Sequence, residues 1–216
     1  IKLQMMEVIM KKYKSKALKD NPYICFLFMD DDVSHWTVSE INKIWFDQIK
    51  EAIYYINLNA SYYKVNLNIG KGLYSSCEEN CIVRYKGNIN TDLFSGRITG
   101  DILNQAALSL NFESRQVMDN YLITNTKRKD IVYVIMLNKK GISYADEKDG
   151  YCVVFNGYLN TNKNCCSAVI VHELFHLFGA LDYYDPYKKY PKRKVLAETY
   201  FPNDIMLKIY RTDFET

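Results

Sequence analysis

The sequence predicts a mixed α/β (α+β) domain in which helices pack on one twisted sheet. Three observations carry that prediction. Residues 24–29 form a purely apolar run ending at Asp30, Asp31 and Asp32, the pattern of a buried strand that stops where carboxylates must leave the core. Apolar residues between positions 41 and 56 recur at helical intervals behind a capping sequence. Strand-like and helix-like segments then alternate along a chain of 216 residues, enough for one domain or for one domain split into two lobes by a cleft.

The elements follow in order. Residues 1–22 are rich in lysine with only a short helical pattern, so they read as a leader or the remnant of a pro-segment, and the folded core is expected to begin near Tyr23. After the first strand, Thr37 and Glu40 have the spacing of a capping box, and Ile41, Ile44, Trp45, Ile49, Ala52, Ile53 and Ile56 give one long amphipathic helix. Val65, Leu67 and Ile69 alternate with polar residues, predicting a strand that ends at Gly70 and Gly72. Residues 73–99 predict loops or short strands. Residues 102–123 predict a helix and residues 131–137 a strongly apolar strand. Two short strands are expected at residues 141–145 and 151–155, ahead of a helix carrying the most informative motif.

Composition narrows the function. Hydrophobic residues make up 48% of the chain and aromatics 14%, so it can bury a core. The net charge of +3, from 28 basic and 25 acidic residues, is too balanced for a typical nucleic-acid binder. No apolar run is long enough to span a bilayer. The cysteines are Cys25, Cys77, Cys81, Cys152, Cys165 and Cys166, an even set without paired CxxC knuckles. Disulfides in an oxidising compartment and buried thiols in a reducing one both remain open, and the expectation leans to a secreted protein.

The chemistry concentrates in HELFHLFGALDYYD, residues 172–185. On a helix His172 and His176 lie about 40° apart in projection, so both imidazoles point to one side and can share a metal ion. Glu173 sits beside them, where it can reach a metal-bound water without being a ligand. Ile170, Val171, Leu174, Leu177 and Phe178 make an apolar face that docks the helix on the sheet. Two of the three histidines of the chain belong to this motif. Gly179 can adopt the left-handed conformation that ends a helix, and the turn brings Asp182 back toward the imidazoles.

These residues resemble the metzincin clan of zinc peptidases, whose pattern is HExxHxxGxx followed by His or Asp, here Asp. Residues 203–206, Asn-Asp-Ile-Met, resemble the clan's Met-turn, with Met206 supporting the site from below. The resemblance implies a zincin fold: a mostly parallel sheet with an antiparallel edge strand, the active-site helix at a cleft, an upper lobe of about residues 23–179 and a small lower lobe of about 180–216. It implies one catalytic Zn2+ held by His172, His176 and Asp182, with Glu173 as general base in hydrolysis of peptide or protein substrates. By the same analogy Gly141, Ile142, Ser143, Tyr144 and Ala145 are the edge strand that holds an extended peptide. Some members place a Tyr two residues after the Met; Lys208 stands there, and Tyr210 is a substitute candidate for oxyanion support.

Other readings stay open. Zinc peptidases of the thermolysin-like branch take a Glu on a later helix as third ligand, and Glu198 lies at a permissible distance. A catalytically silent zinc-containing adhesion module, or a zincin tethered to nucleic acid through Lys188, Lys189, Lys192, Arg193 and Lys194, are the rival functions. No nucleic acid is expected as partner, and the expected state is a monomer. His35 reads as a surface histidine. Asp146, Glu147 and Asp149 offer oxygens for calcium without the spacing of a calcium loop.

Overall fold

The computed structural model describes residues 18, 20–73, 82–89, 101–158, 167–183 and 191–207. Its framework is a six-stranded, mostly parallel sheet. Strand β1 (Tyr23–Asp30) is central, with β2 (Gly70–Leu73) and β3 (Ile82–Arg84) paired to successive parts of one edge. On the other side lies β4 (Ile131–Gly141), then β6 (Tyr151–Tyr158), all parallel to β1, and the antiparallel β5 (Tyr144–Asp146) beyond β6.

The continuous apolar runs have a simple cause: the sheet is covered on both faces. Ile24, Phe26, Phe28, Val132, Val134, Met136, Cys152 and Val154 face one cluster; Cys25, Leu27, Met29, Tyr133, Ile135, Leu137, Tyr151, Val153 and Phe155 face the other. Helix α1 covers the first face. It begins as Val38–Lys43, passes through a π-helical stretch, Ile44–Ile49, and continues as Lys50–Tyr62. Thr37 and Glu40 form the predicted capping box. In the π-helical stretch the Lys50 N–H reaches back to the Trp45 carbonyl. That wider turn returns Ile49 to the face that buries Ile44. The second face is covered by α2 (Asp101–Ser109) and α3 (Arg115–Thr126).

Three sequence expectations need correction. The strand expected over residues 65–69 begins only at Gly70: a Cβ at Gly70 would lie 2.5 Å from Arg128 Nε and one at Gly72 2.1 Å from Tyr23 Oη, so side chains cross these glycines where the strand forms. Leu67 makes only an isolated bridge to Asp20. The single helix over residues 102–123 is two. Asn111 adopts φ +63°, the Phe112 N–H closes the first helix on the Ala107 carbonyl, and Ser114 caps the second by accepting the Val117 N–H at 3.3 Å. The strand expected at residues 141–145 is shifted. Gly141 still pairs with Tyr158 as the end of β4, Ile142 and Ser143 form the link, and only Tyr144 and Ala145 belong to β5.

Residues 1–17 and 19 lie outside the described residues, but Leu18 packs on the core and Asp20 and Pro22 are bonded to the chain before and within β2. Cys25 and Cys152 are buried on opposite faces of the sheet and cannot bridge to each other. Burial pushes the Cys25 thiol up to about 12, so it behaves as a core residue. Cys77, Cys81, Cys165 and Cys166 lie outside the described residues. No described helix is long and apolar enough to cross a membrane.

Candidate metal centre

Helix α4 (Ser167–Leu177) carries the motif on the first face of the sheet, against α1 and β6. Ala168, Val169, Ile170, Val171, Leu174 and Leu177 are buried, and at its start the Ser167 hydroxyl donates to the Glu51 carboxylate of α1. Apolar contacts on nearly every side fix the helix, so the two imidazoles it carries are held by packing as well as by hydrogen bonds.

The helix ends in a Schellman motif. The Gly179 N–H donates to the His176 carbonyl at 3.0 Å, the Ala180 N–H to the Phe175 carbonyl at 3.0 Å, and Gly179 takes φ +85°, the conformation for which the sequence singled it out. The chain doubles back, and Asp182 Oδ1 comes to 3.2 Å from His172 Nε2 and 3.3 Å from His176 Nε2. The two Nε2 atoms are 3.1 Å apart.

The other ring nitrogens define the state of this trio. His172 Nδ1 lies 3.1 Å from the Ile205 carbonyl and His176 Nδ1 lies 2.9 Å from the Ala180 carbonyl. A carbonyl only accepts, so each Nδ1 is the protonated nitrogen, and in a neutral ring Nε2 presents a lone pair. Asp182 Oδ1 is buried without a conventional hydrogen-bond partner. Three electron-rich atoms thus converge at mutual separations of 3.1–3.3 Å, an arrangement that requires positive charge among them. Protons on the imidazoles meet this need, and so does a cation. Burial pulls the His176 pKa down, but Asp182, Glu173 and the Ala180 carbonyl outweigh it and leave His176 raised. Burial likewise works against ionised Asp182, and the two imidazoles overcome it and hold the carboxyl well below its ordinary range. Among the described residues, His172, His176 and Asp182 form the group of three potential ligands that can hold a metal ion.

Glu173 is buried, 5% exposed. Burial pushes its carboxyl up to about 7; the neighbouring imidazoles oppose the rise and Asp182 adds to it.

Next to the trio the chain makes a hydrogen-bonded turn from Asp204 to Leu207, which contains Ile205 and Met206. Asp204 Oδ1 accepts the Met206 N–H at 2.8 Å, and the Asp204 carbonyl accepts the Leu207 N–H at 3.0 Å. The Met206 carbonyl accepts the Tyr183 N–H at 2.9 Å, which ties the turn to the residue after Asp182. Met206 is buried in the cluster that holds α4. The carbonyls of Ala180 and Ile205 are the functional groups that sequence reasoning missed, because a main-chain oxygen has no side-chain signature. Only the i, i+4 separation of Ala180 from His176 behind a helix-ending glycine hinted at one of them.

The remaining candidates lie elsewhere. Glu198, on α5 (Pro191–Tyr200), is exposed and 3.7 Å from Lys194. His35 is exposed, 3.3 Å from Asp30 Oδ2. Asp146 closes the β5–β6 turn, its Oδ1 accepting the Asp149 N–H at 3.1 Å, with Gly150 at φ +71°. Tyr210, Lys208, Lys188 and Lys189 lie outside the described residues. Compared with known proteins, the chain matches no family model, no curated protein and no solved structure.

Proposed function

We propose that this chain is a zinc-dependent endopeptidase with a metzincin-like centre. The observation that carries the reading is the convergence of His172 Nε2, His176 Nε2 and Asp182 Oδ1 beside a buried glutamate. Tetrahedral zinc with bonds of about 2.0–2.1 Å separates its ligand atoms by about 3.3–3.4 Å, and the trio's separations are 3.1–3.3 Å. The donor set fits the metal: two neutral imidazoles and one carboxylate. Three protein ligands suit a centre that leaves a position for water.

When bound, zinc supplies a Lewis acid that polarises the scissile carbonyl and makes water acidic near neutral pH. The chain's residues do the rest. Ile205 and Ala180 hold the rings through Nδ1, which leaves both Nε2 atoms turned to each other and to Asp182, where they would hold the ion. The Glu173 carboxylate takes the proton of the attacking water and returns it to the leaving amine. The extended peptide is placed along β5, the antiparallel edge strand next to α4, where an open edge offers main-chain donors and acceptors. A silent zinc module has no use for a buried general base, and a charge of +3 gives little support to a nucleic-acid partner.

The test is hydrolysis of a mixed peptide library by the zinc-loaded chain, with and without chelator, beside Glu173→Gln. Cleavage should vanish with chelator, and Glu173→Gln should keep zinc while losing about 10²–10⁴-fold in kcat/KM. Full activity of either the chelated protein or Glu173→Gln would overturn the mechanism. Zinc binding without any cleavage would favour the adhesion module.

A further inference from the structure

Next to the His172–His176–Asp182 group lies a cavity of about 340 Å³ between the end of α1, the motif helix and the turn at Met206. Among the described residues its wall combines Tyr55, Tyr63, Phe175 and Tyr183 with Met206, and it contains one carboxylate, Asp204, one amide, Asn59, and no basic side chain. Tyr63 is 69% exposed and stands at the mouth, whereas Ile56 at 2% and Met206 at 4% are buried walls. One hydrogen bond to Asp204, from the Met206 N–H, is formed at Oδ1, which leaves the carboxylate further acceptor capacity. A carboxylate set among aromatic rings is the chemistry that selects an organic ammonium over a neutral molecule of the same shape.

We propose that this cavity is a second binding site, for a small arylalkylamine whose ring enters between Tyr55, Phe175 and Met206 and whose ammonium meets Asp204. The site has a built-in connection to the metal centre. Ala180 and Ile205 belong to the same wall, and their carbonyls are the acceptors that hold His176 Nδ1 and His172 Nδ1. An occupant that packs this wall stabilises the orientation of both imidazoles, so amine binding raises zinc affinity and zinc raises amine affinity by the same factor. This coupling rests on the metal reading above; the amine site does not.

The experiment separates the two. The metal-free full chain is titrated calorimetrically with 2-phenylethylamine and with its neutral counterpart 2-phenylethanol, so that the amine cannot be counted as a zinc ligand. The amine should bind saturably at one site and at least about tenfold tighter than the alcohol, roughly one cation–π and charge contact. Asp204→Asn should bring the amine down to the alcohol's affinity while the alcohol is unchanged, and Ala60→Trp, which fills the cavity from α1, should remove both. Equal affinities, no saturation, or an amine preference that survives in Asp204→Asn would overturn the site. In a chelator competition, saturating amine should raise zinc affinity about fivefold or more in the natural sequence and not in Ala60→Trp. An unchanged zinc affinity would overturn the coupling, and loss of the peptidase reading would leave the metal-free titration standing.

Discussion

At the scale of single residues the centre depends on which atoms face one another. The His172 and His176 pair was legible from the sequence because four residues on a helix return a side chain to the same side. Asp182 was legible because Gly179 stands between it and His176, and the Schellman turn that glycine closes is what delivers the carboxylate. The two carbonyls that set the ring tautomers were not, since nothing in the side chains of Ala180 or Ile205 encodes them. The competing third ligand, Glu198, lay at a permissible distance but farther along the chain than Asp182; it is exposed and ion-paired with Lys194, outside the trio. Asp182→Ala should therefore leave two protein ligands and lose zinc on dialysis, while Glu198→Ala should keep one zinc per chain. Metal analysis of both variants checks this. Zinc kept by the Asp182 variant and lost by the Glu198 variant would reverse the assignment.

At the scale of elements, the motif helix and the turn at Met206 act as a pair. The helix brings the imidazoles, and the turn supplies the Ile205 carbonyl and receives the Tyr183 N–H. Runs of apolar residues made β1, α1 and β4 legible, because a long periodic or unbroken pattern has few alternatives. Shorter patterns misled. Apolar periodicity ran on through Asn111 and Ser114, although a left-handed Asn and a capping Ser are local signals that outrank it. Met206 is 4% exposed and packs in the cluster that buries the motif helix. Met206→Ala should lower stability by about 2–5 kcal/mol through the cavity it leaves. It should weaken zinc retention without abolishing hydrolysis, since the side chain gives the metal no ligand. Chemical denaturation with metal analysis on the same sample is the measurement, and an unchanged midpoint with unchanged zinc content would remove Met206 from the support of the site.

At the scale of the whole molecule, the sheet is closed at the carboxyl end of β1 by a charge that the sequence showed only as the end of a strand. Asp31 is buried. Its Oδ1 accepts the Val33 N–H at 3.1 Å and the Ser34 N–H at 2.9 Å, and its Oδ2 accepts the Ile89 N–H at 3.0 Å and a hydrogen bond from the Lys139 ammonium. One carboxylate thereby joins β1, the end of β4 and the chain after β3, contacts 58 and 108 residues apart that no local pattern announces. Burial alone would raise the Asp31 pKa; Lys139 first, then these N–H groups and the Ser34 hydroxyl, outweigh it and hold the carboxyl below its ordinary value. A depressed folded pKa means that the stabilisation is complete above the unfolded carboxylate value of about 3.9 and is lost as pH falls through the folded value. Lys139→Gln removes the counter-charge and should cost about 1.5–3 kcal/mol at neutral pH, the range for a hydrogen bond to a charged group. Because this stabilisation is eroded as pH falls below the unfolded carboxylate value of about 3.9, the difference between variant and natural sequence should shrink at about pH 2. Urea unfolding of both proteins at the two pH values measures it. A difference that stayed constant with pH would show that Lys139 contributes by packing, and that the charge on Asp31 does not hold this end of the sheet together.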